Sequence, residues 1–159
     1  MTDVHSPEVR SRNMRAIRAK NTRPEMLIRS ALHRRGLRFR LHARELPGSP
    51  DLVLPRLRSV VFIHGCFWHG HNCHLFKLPR TRTEFWMEKI EQNMRRDTIA
   101  QEALRTLGWR VATVWECSIK GRRKQRFDTV IDSLETWLLD SQALTIELRE
   151  SDIERVSVP

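Results

Sequence analysis

Residues 64–74 read HGCFWHGHNCH, and no other stretch restricts this chain as much. The eleven residues hold four histidines, two cysteines and an adjacent Phe67–Trp68 pair. Thiolates and imidazoles are soft ligands, and zinc takes four of them in a tetrahedron. Cys66-x4-His71-x-Cys73 offers three from one loop, and Cys117, far along the chain, can close the set if the fold brings it back. His69 and His74 are alternates for His71. The spacing departs from the common C-x2-C pattern, so three unligated cysteines form the competing reading.

Composition decides what such a loop serves. At 159 residues the chain can bury one core without metal or disulfides as its main support, so a zinc ion need not hold the whole fold. Three cysteines are an odd number, which argues against a closed disulfide set and for reduced thiols near a metal. Lys and Arg number 29 against 19 acids, a formal charge of +10 that favours a polyanion. A lipid surface is the rival, but no run of eighteen apolar residues appears and the start, MTDVHSPEVR, has no apolar signal core. A cytoplasmic protein that binds nucleic acid and not membrane is expected.

Along the chain, residues 8 to 20 read as a basic arm carrying Arg10, Arg12, Arg15, Arg18 and Lys20. The arm is either a solvated charged face or a segment that orders on nucleic acid, where counterion release rewards it. Thr22-Arg23-Pro24-Glu25 is a capping box that predicts a helix over 23 to 35, with Met26, Leu27, Ile28, Ala31 and Leu32 at helical spacing and Gly36 closing it. Strands follow at 38 to 42, at 51 to 55 and at 59 to 64, the last two forming a hairpin through residues 55 to 58. Such a hairpin sets Asp51 near Ile63 and His64.

A second capping box at Thr81 and Glu84 predicts a helix of about 24 residues ending before Gly108. At 100° per residue, Trp86, Ile90, Ala100, Leu104 and Leu107 share one stripe with Asn93 and Asp97. An inward carboxylate needs a partner, so Asp97 belongs to a buried pair or to a site. A strand over 109 to 115 and a helix over 127 to 138, with Phe127, Val130, Ile131, Leu134 and Leu138 on one face, complete the pattern. Three segments result: an arm (1–21), a single α/β or α+β domain (22–140) and a tail (141–159) without clear periodicity.

His64 and His69 remain for acid and base work, with Asp51 the only acid between Glu45 and Glu84. Hydrolysis of a phosphodiester needs an activated water and a cation that neutralises developing charge, and an aspartate-held magnesium beside a histidine supplies both. Glu25 has a sufficient structural reason in its cap. Phe67 and Trp68 are either core or a wedge for a base stack, and Trp86 can join them.

The stretches NMRAIRAKNT, LPGSPDLV, FIHGCFWHGHNC, TRTEFWMEKIEQNMRRD and LGWRVATVWEC resemble the very-short-patch repair (Vsr) endonucleases, which nick DNA at T:G mismatches left by deamination of 5-methylcytosine. The resemblance spans roughly residues 10 to 120. It implies a restriction-endonuclease-like mixed β-sheet flanked by helices, with a structural zinc on Cys66, His71, Cys73 and Cys117. It further implies magnesium on Asp51 and the main-chain carbonyl of Ile63, with His69 as general base. His64, Glu25 and Asp97 would orient waters or imidazoles. Phe67, Trp68 and Trp86 would enter the DNA while the basic arm closes over it. The implied partner is mismatched duplex DNA, with mismatch-repair proteins as further candidates; a monomer on the bacterial nucleoid is expected.

Two departures stand out. Ile63 replaces a frequent threonine, which a carbonyl ligand tolerates, and the usual acid-and-lysine signature of restriction enzymes is missing after the third strand. Two other readings compete: a non-catalytic zinc module that binds nucleic acid, and an HNH-like nuclease in which His64 and His69 hold the catalytic ion.

Overall fold

The structure is a computed structural model that describes residues 21–151. The basic arm, with Arg10, Arg12, Arg15, Arg18 and Lys20, and the last eight residues of the tail lie outside the described residues.

One five-stranded sheet runs in the order β1 (Arg40–Leu41), β2 (Leu52–Leu54), β3 (Ser59–His64), β4 (Arg110–Trp115), β5 (Thr145–Leu148). The first three strands pair antiparallel, and β4 and β5 run parallel to β3, so the sheet is mixed as expected. Parallel neighbours need a crossover, and helices provide it. Helix α2 (Thr83–Thr106) joins β3 to β4, and α3 (Phe127–Asp140) joins β4 to β5; α1 (Arg23–Arg34) precedes the sheet.

The sheet is covered on both faces. Ile28 and Leu32 of α1 and Val130, Ile131 and Leu134 of α3 pack with Leu52, Leu54, Val61 and Ala112 on one side. On the other, Leu104 of α2 packs with Val53, Val60, Phe62 and Val111. Alternate residues of one strand thus enter different cores, which is why VVF in β3 is continuously apolar rather than alternating.

Several local expectations need correction. The strand over 38 to 42 shrinks to Arg40–Leu41, both exposed, because His42 turns out at φ 48. Met26 and Leu27 are exposed, and α1 buries only Ile28, Ala31, Leu32 and Glu25. The Thr81 capping box is not formed: Arg82 caps α2 in the left-handed region, and the Thr83 hydroxyl donates to the carbonyl of Pro79 at 2.9 Å. The helix still has 24 residues and ends before Gly108. Leu107 lies past its last turn and is exposed. The stretch read as a tail supplies β5, in which Ile146 and Leu148 face the core while Thr145 and Glu147 are exposed; four residues give an alternation too short to stand out in the sequence.

Candidate active site and metal centre

Topology gathers the chemistry at one edge. Because β3, β4 and β5 are parallel and β2 runs against them, the start of β2 meets the ends of the other three. Asp51, His64, Glu116 and Glu150 all leave the sheet there. A cavity of about 1160 Å³ opens at this edge, lined by Glu25, Asp51, His64, His69 and Asp97, with Arg23, Lys89, Arg96 and Lys120 around it.

Asp51 precedes β2, and its Oδ2 accepts the backbone N–H of Ile63 at 2.7 Å, as the hairpin requires. Burial pushes its carboxyl up to about 6, against the opposing pull of the Ile63 N–H, while the nearby Glu25 adds to the rise. A carboxylate so poised gains from a cation.

Glu25 has two roles at once. Its backbone N–H caps α1 through Thr22 Oγ1 at 3.4 Å, as expected. Its carboxylate, however, does not bond back to Thr22. Oε1 accepts from the backbone of Asn21 at 3.3 Å, and Oε2 accepts from Arg29 at 2.9 Å and lies 2.8 Å from His42 Nε2. Glu25, His42 and Asp51 each offer a ligand atom within 4.8 Å of one another. His42 is the residue that sequence reasoning missed, because it sat in a polar alternation with nothing to distinguish it.

His69 and Asp97, 28 positions apart, meet at 2.5 Å through Nδ1 and Oδ2. The stripe on α2 that carried Asp97 inward therefore delivers it to an imidazole. His64 stacks on His69, with centroids 3.7 Å apart and planes within 5°. Its own imidazole is held well below the ordinary range by burial, and the charges of His69 and His71 push the same way. Nitrogen lone pairs lie in the ring plane, so two parallel stacked rings cannot both aim at one ion. This disfavours the reading in which His64 and His69 chelate the catalytic metal, although their ligand atoms and that of Asp97 fall within 4.8 Å of one another.

Cys66, His71, Cys73 and Cys117 bring four ligand atoms within 4.8 Å of one another, so Cys117 does return from across the fold. Of the alternates, His69 is taken by Asp97 and His74 pairs with Glu150. The sulfurs are also prepared as acceptors: Cys66 Sγ accepts the N–H of Cys117 at 3.4 Å, and Cys117 Sγ accepts the N–H of Glu150 at 3.3 Å. Hydrogen bonding with Cys66, then with His71, depresses the Cys117 thiol to about 4 despite its burial, and Cys66 is pushed up in exchange. His71 Nε2 is buried with no partner, and its ring stacks on Trp115 at 4.0 Å. The donor set suits a soft tetrahedral cation.

The loop after β3 also carries Phe67 and Trp68, both partly buried, their rings 5.1 Å apart. Trp86 lies 5.5 Å from Phe67 and 5.9 Å from Trp68. At 8% exposure Trp86 lies behind the other two rings. Asn93 Nδ2 donates to the carbonyl of Trp68 at 3.0 Å, so α2 fixes the loop's height. Gly70, at φ 62, lets the loop seat on that helix, since a Cβ there would stand 2.6 Å from Met94 Sδ.

An acidic strand end, an aspartate-paired histidine and a cation-lined cleft define a phosphodiester-cutting nuclease. The comparisons with known proteins agree. The family model described as DNA mismatch endonuclease Vsr matches residues 2–75. The DNA mismatch endonuclease Vsr of Escherichia coli is 49% identical over 138 residues, 87% of this chain and 88% of that protein. The type II nicking enzyme V.XorIIP of Xanthomonas oryzae is 50% identical over 134 residues, 83% of this chain and 98% of that protein. V.NmeAIP of Neisseria meningitidis, also a type II nicking enzyme, is 43% identical over 122 residues, 77% of this chain and 87% of its own length. The chain belongs to the Vsr DNA mismatch endonuclease family.

Proposed function

We propose that this protein nicks one strand of duplex DNA 5′ to the mispaired thymine of a T:G mismatch, the product of 5-methylcytosine deamination. The observation that carries the reading is the His69–Asp97 contact of 2.5 Å in the same cleft as Asp51. Asp97 accepts the Nδ1 proton of His69 and so fixes the tautomer whose Nε2 lone pair is free. That nitrogen takes a proton from the attacking water, and Asp97 stabilises the resulting imidazolium. His64, neutral by burial, stacks against His69 without opposing its charging.

Asp51 and the main-chain carbonyl of Ile63 would hold magnesium. In a strand the N–H and C=O of one residue point to the same side, and the Ile63 N–H points to Asp51. Bound there, magnesium would neutralise charge developing on the phosphate and make a water more acidic. Glu25, turned away from its cap, would orient such waters. Cys66, His71, Cys73 and Cys117 would hold zinc, which braces the loop that carries Phe67, Trp68 and His69 together.

Selection of the mismatch follows from the wedge. Unstacking costs a few kcal/mol per step and less where the pair is already weak. Phe67 and Trp68, backed by Trp86, would enter the stack only where it yields, and the same rigid loop then sets His69 against the phosphate.

A nicking assay on T:G, matched and other mismatched duplexes, with and without magnesium, tests this. The expected result is metal-dependent nicking of the T:G strand only. Equal cutting of matched DNA removes the repair reading, and binding without cutting replaces it with the non-catalytic zinc module.

A further inference from the structure

We propose that the basic loop from Lys120 to Arg126 is a second grip on the DNA, holding phosphates of the duplex that flanks the nick. It rests on the reading that the cleft takes a duplex. The segment KGRRKQR has five cations in seven residues and no acid. Arg122, Lys124 and Arg126 are exposed and make no ion pair among the described residues. Among the described residues Lys120 pairs only with Glu116, at 3.5 Å.

Charge alone describes many solvated loops; two further observations distinguish this one. The first is position. The loop follows β4, which runs parallel to β3, so it leaves the sheet at the edge where His64 ends β3, and Lys120 lines the cleft itself. The cations beyond Lys120 follow it directly in the chain from this edge of the sheet, outside the cleft lining itself.

The second is rigidity. Gly121, at φ 90, lies against His74, and a Cβ there would stand 2.3 Å from His74 Nε2. His74 is itself paired with Glu150 after β5. The backbone of Gln125 donates to Ser118 at 2.8 Å, that of Lys124 to Gly121 at 3.2 Å, and that of Ser151 to Arg123 at 2.9 Å. The Gln125 side chain donates to the carbonyl of Arg149 at 2.6 Å. A loop clamped between the loop after β3 and the segment after β5 presents its charges with little backbone entropy left to lose on binding. Ordered cations continuous with a nuclease cleft fit a regular array of phosphates.

The test is equilibrium binding of the intact, metal-replete protein to a matched and a T:G duplex across a salt series. Arg122→Gln/Lys124→Gln/Arg126→Gln is expected to weaken both duplexes alike and to lower the slope of log K against log salt by roughly 2 to 3, about 0.9 for each phosphate no longer neutralised. The preference for T:G over matched duplex should stay at the parent's value. Arg122→Lys/Arg126→Lys, which keeps the charge, should keep the slope. An unchanged slope in the glutamine variant, with the melting temperature preserved, overturns the proposal. So does a parental salt response on a duplex long enough to cover the loop together with a lost T:G preference. Because the slope is read on matched DNA without cleavage, failure of the mismatch reading leaves this result separately readable.

Discussion

Nδ1 of His69 lies 2.5 Å from Oδ2 of Asp97. One residue belongs to the loop after β3 and the other to the middle of the long helix α2, so neither has a reason of local structure to meet the other. Asp97→Asn keeps the shape but can present an N–H to Nδ1, which favours the tautomer with its proton on the wrong nitrogen. The variant should lose about 10² to 10⁴ in kcat, in the range of a mispositioned general base, with little change in DNA affinity. Single-turnover nicking beside a binding isotherm checks it; a loss confined to binding would assign Asp97 to DNA contact instead.

His42 links the Glu25 carboxylate to the backbone of Asp51. Its side chain lies 2.8 Å from Glu25 Oε2, and its backbone N–H donates to the carbonyl of Asp51 at 3.0 Å. His42→Ala should raise the magnesium concentration needed for half-maximal nicking several-fold, because Glu25 loses a partner that aims it at the cleft. His42→Gln keeps an N–H donor and should restore most of the parent's response. Both variants bear the same positive φ at residue 42, so their difference reports the side chain and not the backbone. Equal magnesium curves for Ala and the parent would make His42 a packing residue only.

Asp51 sets a pH dependence with a defined sign. Its folded-state carboxyl is raised to about 6, so between about pH 4 and 6 the folded chain binds the proton more tightly than the unfolded one. Stability contributed by this group is therefore greatest at the acid side and falls as pH rises through that window. Asp51→Asn should abolish nicking yet stabilise the metal-free protein at pH 8, by at most about 3 kcal/mol for a shift of about two units. The gain should vanish near pH 4. Denaturant unfolding at the two pH values measures it, and a destabilised Asn variant at pH 8 would refute the assignment of burial as the cause.

Much of this architecture was legible because its signals are local. The continuous apolar run of β3 announced a strand buried on both faces, and the hairpin through Pro55 placed Asp51 beside Ile63. The inward phase of Asp97 was a matter of helical arithmetic. His42 and Glu150 were not legible, since what singles them out is a partner 17 or 76 positions away. β5 was hidden because its alternation, with only Ile146 and Leu148 turned to the core, is four residues long, and the Thr81 cap failed because Arg82 adopts a left-handed conformation that moves the helix start. Trp86 stands beside Phe67 and Trp68 but is more buried than either, a difference that spacing along α2 does not report.

That difference separates two aromatic variants. Trp68→Ala should reduce the preference for T:G over matched duplex by roughly tenfold or more, the order of one base stacked on an aromatic ring at about 1–3 kcal/mol, with nonspecific binding preserved. Trp86→Ala should do so only together with a loss of about 3–5 kcal/mol of stability, as for a buried aromatic. Competition binding and thermal melts distinguish them; an unaltered preference in Trp68→Ala would return Phe67 and Trp68 to the core.

Metal removal should separate the loop from the sheet. Cys66, His71 and Cys73 sit on the loop that also holds Phe67, Trp68 and His69, while Cys117 is anchored directly after β4. The two main cores lie on the faces of the sheet and contain none of these ligands, so they do not need the ion to form. Chelation, or Cys117→Ser, should therefore leave helix and strand content in place while lowering the melting temperature by roughly 10 °C. At about 2–4 °C per kcal/mol for a chain of this size, that corresponds to several kcal/mol. Mismatch preference and nicking should disappear together, because the wedge and the base share one brace, whereas salt-sensitive binding to matched DNA should persist. Elemental analysis should find about one zinc per chain before chelation. A zinc-free protein that melts and nicks like the parent would return the three cysteines to ordinary thiols, and selective loss of nicking with mismatch preference intact would show that the wedge is held by α2 alone.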